Sequence, residues 1–329
     1  VGITTVLAAM VTFALGALAI EGYLALSAAG AVITTILLSM KPVLHRWLQK
    51  LKTEELYSGL KLLLISLVIL PVLPNMGFGP WQTLNPYLIW WMVVIIAGIS
   101  FAAYISIQLV GTHKGILATG LLGGLASSTA TTIHLSRLAQ DKTLLTVAAS
   151  GIIISAATMF PRVFVEVMVI NHQLLPYIWL PLLSMLVTSV IGFLILRPRQ
   201  LMNNELGSPI IKNPMELMPA IKFGLLLAVI MLLSKALQIW LGETGIYLLA
   251  TVSGLADVDA ITLSLSNMAK QHSSAQLASQ GIILAVLVNT LVKGLLACWI
   301  AGFDMARKIL PVFLLVILSG IISLFFVAY

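Results

Sequence analysis

Apolar residues run almost unbroken through nine stretches of the chain, at about 3–20, 24–40, 60–74, 87–110, 144–170, 177–196, 219–241, 275–300 and 308–328. Most approach the ~20 residues a helix needs to cross the hydrocarbon core of a bilayer. The two-residue alternation of a membrane barrel is absent. The pattern therefore predicts an all-α polytopic membrane protein with about nine transmembrane helices. Two more segments, about 115–137 and 245–268, are apolar but interrupted by glycine, hydroxyl and acidic residues. They predict re-entrant or broken helices, with Gly123, Gly124 and Gly254 as the break points, since glycine tolerates backbone conformations that end a helix.

The polar connections carry an orientation signal. Lys41, Arg46, Lys50, Lys52 and Lys61 cluster in one connection, and Arg197, Arg199, Lys212 and Lys222 in another. Basic loops stay on the cytoplasmic side. The loop 74–86 is uncharged and holds Trp81, as an external interfacial loop should.

The interrupted segments match each other. "GLASSTATTIHLSRLA" (124–139) aligns without a gap with "GLADVDAITLSLSNMA" (254–269), an offset of 254 − 124 = 130. The same offset pairs Gly115 with Gly245, "GII" at 151 with "GII" at 281, and Pro181 with Pro311. An internal repeat is expected, dividing the chain into helices and linker (1–53), a first copy (54–200) and a second (201–329). "ELYSGLK" (55–61) resembles "ELMPAIK" (216–222), which predicts that 87–110 is an extra span in the first copy. If the interrupted segments dip in and return, both the loop 197–222 and the pair Arg307–Lys308 fall inside, and span counting makes the copies inverted.

Composition agrees with this class. Hydrophobic residues make up 60% and charged residues 9%, with a mean hydropathy of +1.08. Too little charge is present to cover a water-facing surface. The formal charge of +7 sits in loops, so nucleic-acid binding is not expected. The single cysteine, Cys298, excludes an intrachain disulfide and a thiolate metal site. The first 20 residues lack a charged leader region and read as a span, not a signal peptide; the start within an apolar run suggests a trimmed chain.

Against this background, Asp257 and Asp259 in "SGLADVDAIT" stand out. A carboxylate in the bilayer costs at least ~2.5–3.5 kcal/mol, so such residues usually serve a site. They align with Ser127 and Thr129, and the copies add Thr132 and Thr262. Carboxylates, hydroxyls and freed carbonyls form a hard, oxygen-rich set that suits a divalent cation, with Asp257 and Asp259 as metal ligands, or Na⁺. The competing reading makes these residues helix caps. Arg162 and Glu166 lie four apart in the next segment, as do Asn289 and Lys293 in its partner. They are expected either to form a charge shell around the site, with Asn289 binding substrate, or to lock helices together. His134 alone among the histidines lies in a motif, where packing is the simpler role, and the methionines are scattered. Two aspartates two apart point different ways on a helix, which argues against an aspartyl protease, and no enzyme motif is present.

The two motif stretches, the arginine after "FP" at Arg162 and "NTLVK" (289–293) resemble the C-terminal membrane domain of bacterial MgtC/SapB-type proteins. Residues 16–45 are similar to the segment that precedes that domain. The resemblance implies a bacterial or archaeal cytoplasmic (inner) membrane protein associated with magnesium homeostasis; it supplies no substrate. The expected function is secondary transport or a channel for a small ion, a divalent metal cation first, without a cofactor. The partners are the lipid bilayer and the ion, with a homo-oligomer also open. The alternatives are an anion or polar-solute transporter using Arg162 and Lys293, or a non-transporting membrane regulator.

Overall fold

The computed structural model describes residues 3–40, 53–110, 115–196, 217–271 and 275–327. The basic residues expected at 41–52 and at 197–212, and His45, His113 and His272, lie outside the described residues. The chain divides into two compact units, Val1–Tyr57 and Ser58–Tyr329. In the first, α1 (Ile3–Ile20) and α2 (Leu24–Ser39) pack on each other. Ser27 Oγ donates to Leu15 O at 2.7 Å across that pair.

The second unit holds the remaining helices. They are the greater part of α3 (Thr53–Leu63), whose first turn falls before the boundary, continued by a wide turn Leu64–Ile69, then α4 (Pro86–Val110), α5 (Gly115–Leu138), α6 (Leu145–Ala157) and α7 (Met159–Ile170). After these come α8 (Leu175–Leu196), α9 (Leu217–Leu241), α10 (Glu243–Ala256), α11 (Asp259–Gln271), α12 (Ala275–Ala301) and α13 (Phe303–Val327). No named strand occurs among the described residues; one isolated bridge joins Phe78 and Leu84 in the loop before α4. Among the described residues, five helical segments are long and apolar enough to cross a membrane: Leu145–Ile170, His172–Leu196, Ala220–Leu241, Ala275–Ala301 and Phe303–Val327. The protein is an all-α, multi-pass membrane protein. Large apolar side chains such as Trp299, Phe325 and Ile195 face outward, as a lipid-solvated surface requires.

The interrupted segments turn back on themselves. A Cβ built on Gly123 would lie 2.7 Å from Thr131 Oγ1. Residues eight apart in a straight helix are about 12 Å apart, so the chain reverses between them. The first half of α5 runs alongside α6 in the same direction, with Gly120 beside Gly151 and Gly124 beside Ser155 and Thr158. The second half returns through a short turn into α6. That turn is held by Asp141, whose Oδ1 accepts from Thr143 N and Oγ1 and whose carboxyl those bonds hold below its usual range.

The pair α10 and α11 behaves alike. Gly281 of α12 packs against Ile246 and Ala250 of α10 and against Leu265 of α11, while Gly254 packs on Ala285 and Val288. Helix α10 thus runs parallel to α12, and α11 comes back antiparallel to it. The two hairpins enter from opposite ends of α12. One opens where Gln140 Nε2 donates to Ile300 O at 3.2 Å, near the helix's last residues. The other leads directly into its first turn at Ala275.

Helix packing is reciprocal: α5 touches α12 as α11 touches α7, α8 touches α12 as α13 touches α6, and α4 touches α5 as α9 touches α10. The helices α8 and α13 pack face to face, each with a proline inside, Pro181 and Pro311. Core packing leaves no room at the glycine contacts. A Cβ at Gly254 would sit 2.7 Å from Ala285 O. Gly254→Val should therefore lower stability by about 1–3 kcal/mol through overpacking. Gly98→Ala, where a Cβ meets nothing within 4 Å, should not. Thermal unfolding of both variants in detergent checks this.

Candidate functional site

A helix that ends inside a membrane leaves backbone groups that no water can satisfy. The first hairpin breaks at Ser127 (φ −164°, ψ 100°) and the second at Asp257 (φ −156°, ψ 155°), residues that align at the repeat offset. The breaks therefore fall three residues past Gly124 and Gly254, which themselves remain helical. These glycines permit close helix approach, and an extended conformation open to any residue supplies the bend.

Each tip meets its backbone demand differently. Ser127 Oγ accepts from Ala130 N at 3.3 Å, capping the returning half of α5. Thr132 Oγ1 donates back to Ser128 O at 2.8 Å. In the second hairpin, Asp257 Oδ1 accepts from Val258 N at 2.7 Å. Asn289 Nδ2, from α12, donates to Gly254 O at 2.9 Å, closing the C-terminal end of α10. Asn289 thus binds backbone here, while Thr129 is half-buried at the first tip.

The charged residues gather next to these tips. Arg162 donates from Nε to Glu166 Oε1 at 3.2 Å and from Nη2 to Asp259 Oδ2, joining α7 to the first turn of α11. Glu166 and Asp259 are 0% and 3% exposed. Lys293 is 2% exposed, and its Nζ lies 3.4 Å from Met159 Sδ; among the described residues it makes no ion pair. Asp257 is exposed at its tip and lies within Coulombic reach of Lys293 and Glu166. The five formal charges of Arg162, Lys293, Glu166, Asp257 and Asp259 leave one negative charge in excess.

Met159 places the first tip beside the same layer, because it follows Thr158, the neighbour of Gly124, and touches Lys293. The residues singled out in the sequence therefore gather around α7 and α12, and no hydrogen bond among the described residues joins Ser127 or Thr129 to Asp257. Among the described residues, no three His, Cys, Asp or Glu side chains come together as metal ligands.

Thr262 and Glu166 are candidates in the sequence, whereas Ser155 and Ser266 are not. Among the described residues, Thr262 Oγ1, Ser266 Oγ, Ser155 Oγ and Glu166 Oε2 are buried without a hydrogen-bond partner. Asp259, Thr262 and Ser266 follow the i, i+3, i+7 spacing of one helix face, a signal that a polar-stripe reading of 259–271 would have found.

The comparisons with known proteins match this part of the chain. Residues 94–301, both hairpins included, match the family described as domain of unknown function (DUF4010), and the chain belongs to that family. An uncharacterized protein of Aquifex aeolicus (strain VF5) is 36% identical over 189 residues, covering 55% of this chain and 81% of the relative. No solved structure matches.

The Arg162 bridge should be structurally costly to break. Arg162→Gln strands two buried carboxylates and should destabilise the protein by about 3–5 kcal/mol. Adding Asp259→Asn and Glu166→Gln should recover most of that loss. Thermal unfolding of the single and triple variants checks it, and equal losses in both would contradict the pairing.

Proposed function

We propose that this DUF4010 protein is a secondary transporter or channel for a small cation in a bacterial or archaeal cytoplasmic membrane. The observation that carries the reading is a pair of hairpins, entering from opposite ends of α12, with their tips beside a charge cluster whose five formal charges, the exposed Asp257 included, sum to −1. Broken segments that meet near the midplane of inverted repeats are a recurring transporter plan.

Two inverted copies account for the reciprocal packing. In this reading α4–α8 corresponds to α9–α13, and α4 at 86–110 is the counterpart of α9 at 217–241, near the same 130-residue offset. The expectation that 87–110 is an extra span gives way to this pairing. Each copy then has three crossings and one hairpin, an odd number that reverses the second copy. Arg137, Lys142, Arg307 and Lys308 share the face where the first hairpin opens, which the positive-inside tendency makes cytoplasmic.

Charge decides the cargo. The one formal negative charge in excess is relieved by a cation, and within the cluster the accessible Asp257 is the carboxylate without an ion pair among the described residues. Asp259 is already held by Arg162, so a divalent ion bound to both aspartates requires Arg162 to withdraw. Magnesium belongs in the test panel because of the resemblance to MgtC/SapB-type proteins. The absence of a nucleotide-binding motif argues against a primary pump. A second reading, anion transport, rests on Lys293, which is buried without a carboxylate partner among the described residues.

Flux into proteoliposomes of alkali cations, Mg²⁺, Mn²⁺, Ca²⁺, chloride and phosphate separates these readings. Cation flux reduced about ten-fold or more by Asp257→Asn is the expected result. Anion flux that survives Asp257→Asn but is lost in Lys293→Met would replace it with the second reading. No flux from folded protein would overturn both and favour a regulatory role.

A further inference from the structure

The interface between α7 and α11 carries more polar oxygen than its hydrogen bonds explain. Its two ends are pinned. Arg162 bonds Asp259 at one end, and Asn171 Nδ2 donates to Ser266 O at 3.2 Å at the other. Both helices therefore run the same way along the interface. At 1.5 Å rise per residue, Glu166 lies about 6 Å beyond Arg162, and Thr262 about 4.5 Å beyond Asp259. Glu166 thus stands level with Thr262, and its bond to Arg162 keeps it on the face turned toward α11. Thr262 and Ser266 share a face with Asp259, since they follow at i+3 and i+7.

Three oxygens on this stretch have no hydrogen-bond partner among the described residues: Glu166 Oε2, Thr262 Oγ1 and Ser266 Oγ. All three residues are 0% exposed. An unmade hydrogen bond on a buried polar group costs about 1–3 kcal/mol, so three in one interface call for an occupant. The set has a carboxylate oxygen and two hydroxyl oxygens, all hard acceptors, and two of them can turn a lone pair toward a guest. Local charge fixes the guest's valence. Arg162 offsets only one of Glu166 and Asp259, so a single positive charge neutralises the group and a double charge would leave an excess. Ligand hardness and charge together select a small alkali cation.

We propose that the α7/α11 interface holds one dehydrated monovalent cation, ligated by Glu166 Oε2, Thr262 Oγ1 and Ser266 Oγ. The site deepens the cation reading given above and rests on it for its place along a pathway. It lies between the charge layer and the end of the bundle where α7 and α11 finish, the end at which the second hairpin opens. A cation leaving the tip toward that face passes along these oxygens. The hydroxyls replace part of the hydration shell that the bilayer interior lacks.

The test is binding to the full purified chain in detergent, read as thermal stability in choline chloride against lithium, sodium and potassium chloride at constant ionic strength. A ligand that binds only the folded state raises Tm with its concentration. At least one alkali cation should raise Tm in the wild type. Thr262→Val with Ser266→Ala removes two unpartnered hydroxyls, so its Tm in choline should equal or exceed that of the wild type. Its apparent cation affinity should fall about ten-fold or more. Thr290→Val, a buried threonine whose hydroxyl already donates to Val286 O, should keep the wild-type response. A wild type that responds to no alkali cation, as a site filled only by water would behave, overturns the proposal. So does a double variant with undiminished response. Binding that persists without any flux would support this site while removing the transport reading.

Discussion

A chain that turns back within a helical bundle must satisfy the backbone groups freed at its bends, and much of this structure is arranged around that demand. Gly124 and Gly254 let neighbouring helices come close enough to matter. Asn289 reaches across from α12 to bond Gly254 O, and Ser127 caps its own returning helix. Without such partners each tip would leave groups worth several kcal/mol unpaired in hydrocarbon. The motif residues therefore build the bend first. Any transport function is added to a structure that already needs them.

The charge layer follows from the same geometry. The first turn of α11 begins beside α7, and a carboxylate there gains from the helix dipole as well as from Arg162. Arg162 is shared between two acids, and one oxygen of Glu166 is left without a hydrogen-bond partner among the described residues. Such a network holds α7 against α11 while staying one positive charge short. In the proposed function that deficit is what a cation relieves. The same shortage links the exposed Asp257 at the tip with the unpartnered oxygens farther along the interface.

Much of this was legible in the sequence. Apolar runs located α12 and α13 to within a few residues, because lipid solvation tolerates little polarity along a span. The 130-residue offset marked the matched hairpins before any coordinate was known. Other features depended on tertiary contacts. Glycines drew attention as break points, but the bends lie at Ser127 and Asp257, since extended backbone needs no special residue. The local likeness of 55–61 to 216–222 reads as an inserted span at 87–110, and only the packing shows that α4 touches α5 as α9 touches α10. Asn289 reads as a substrate ligand, and the fold in addition brings its Nδ2 to the Gly254 carbonyl. The free oxygens of Thr262 and Ser266 could not be read at all, because a hydroxyl's lack of partner is a property of its neighbours.

Opposite entry of the two hairpins is the claim on which the account turns, and side-specific labelling tests it most directly. In a Cys298→Ser background, single cysteines at Asp141, in the turn after the first hairpin, and at Glu243, before the second, are reacted with a membrane-impermeant thiol reagent. Right-side-out and inverted vesicles are compared. The account predicts that the two sites label from opposite sides, Asp141 from the cytoplasmic one. Labelling of both from the same side would contradict it.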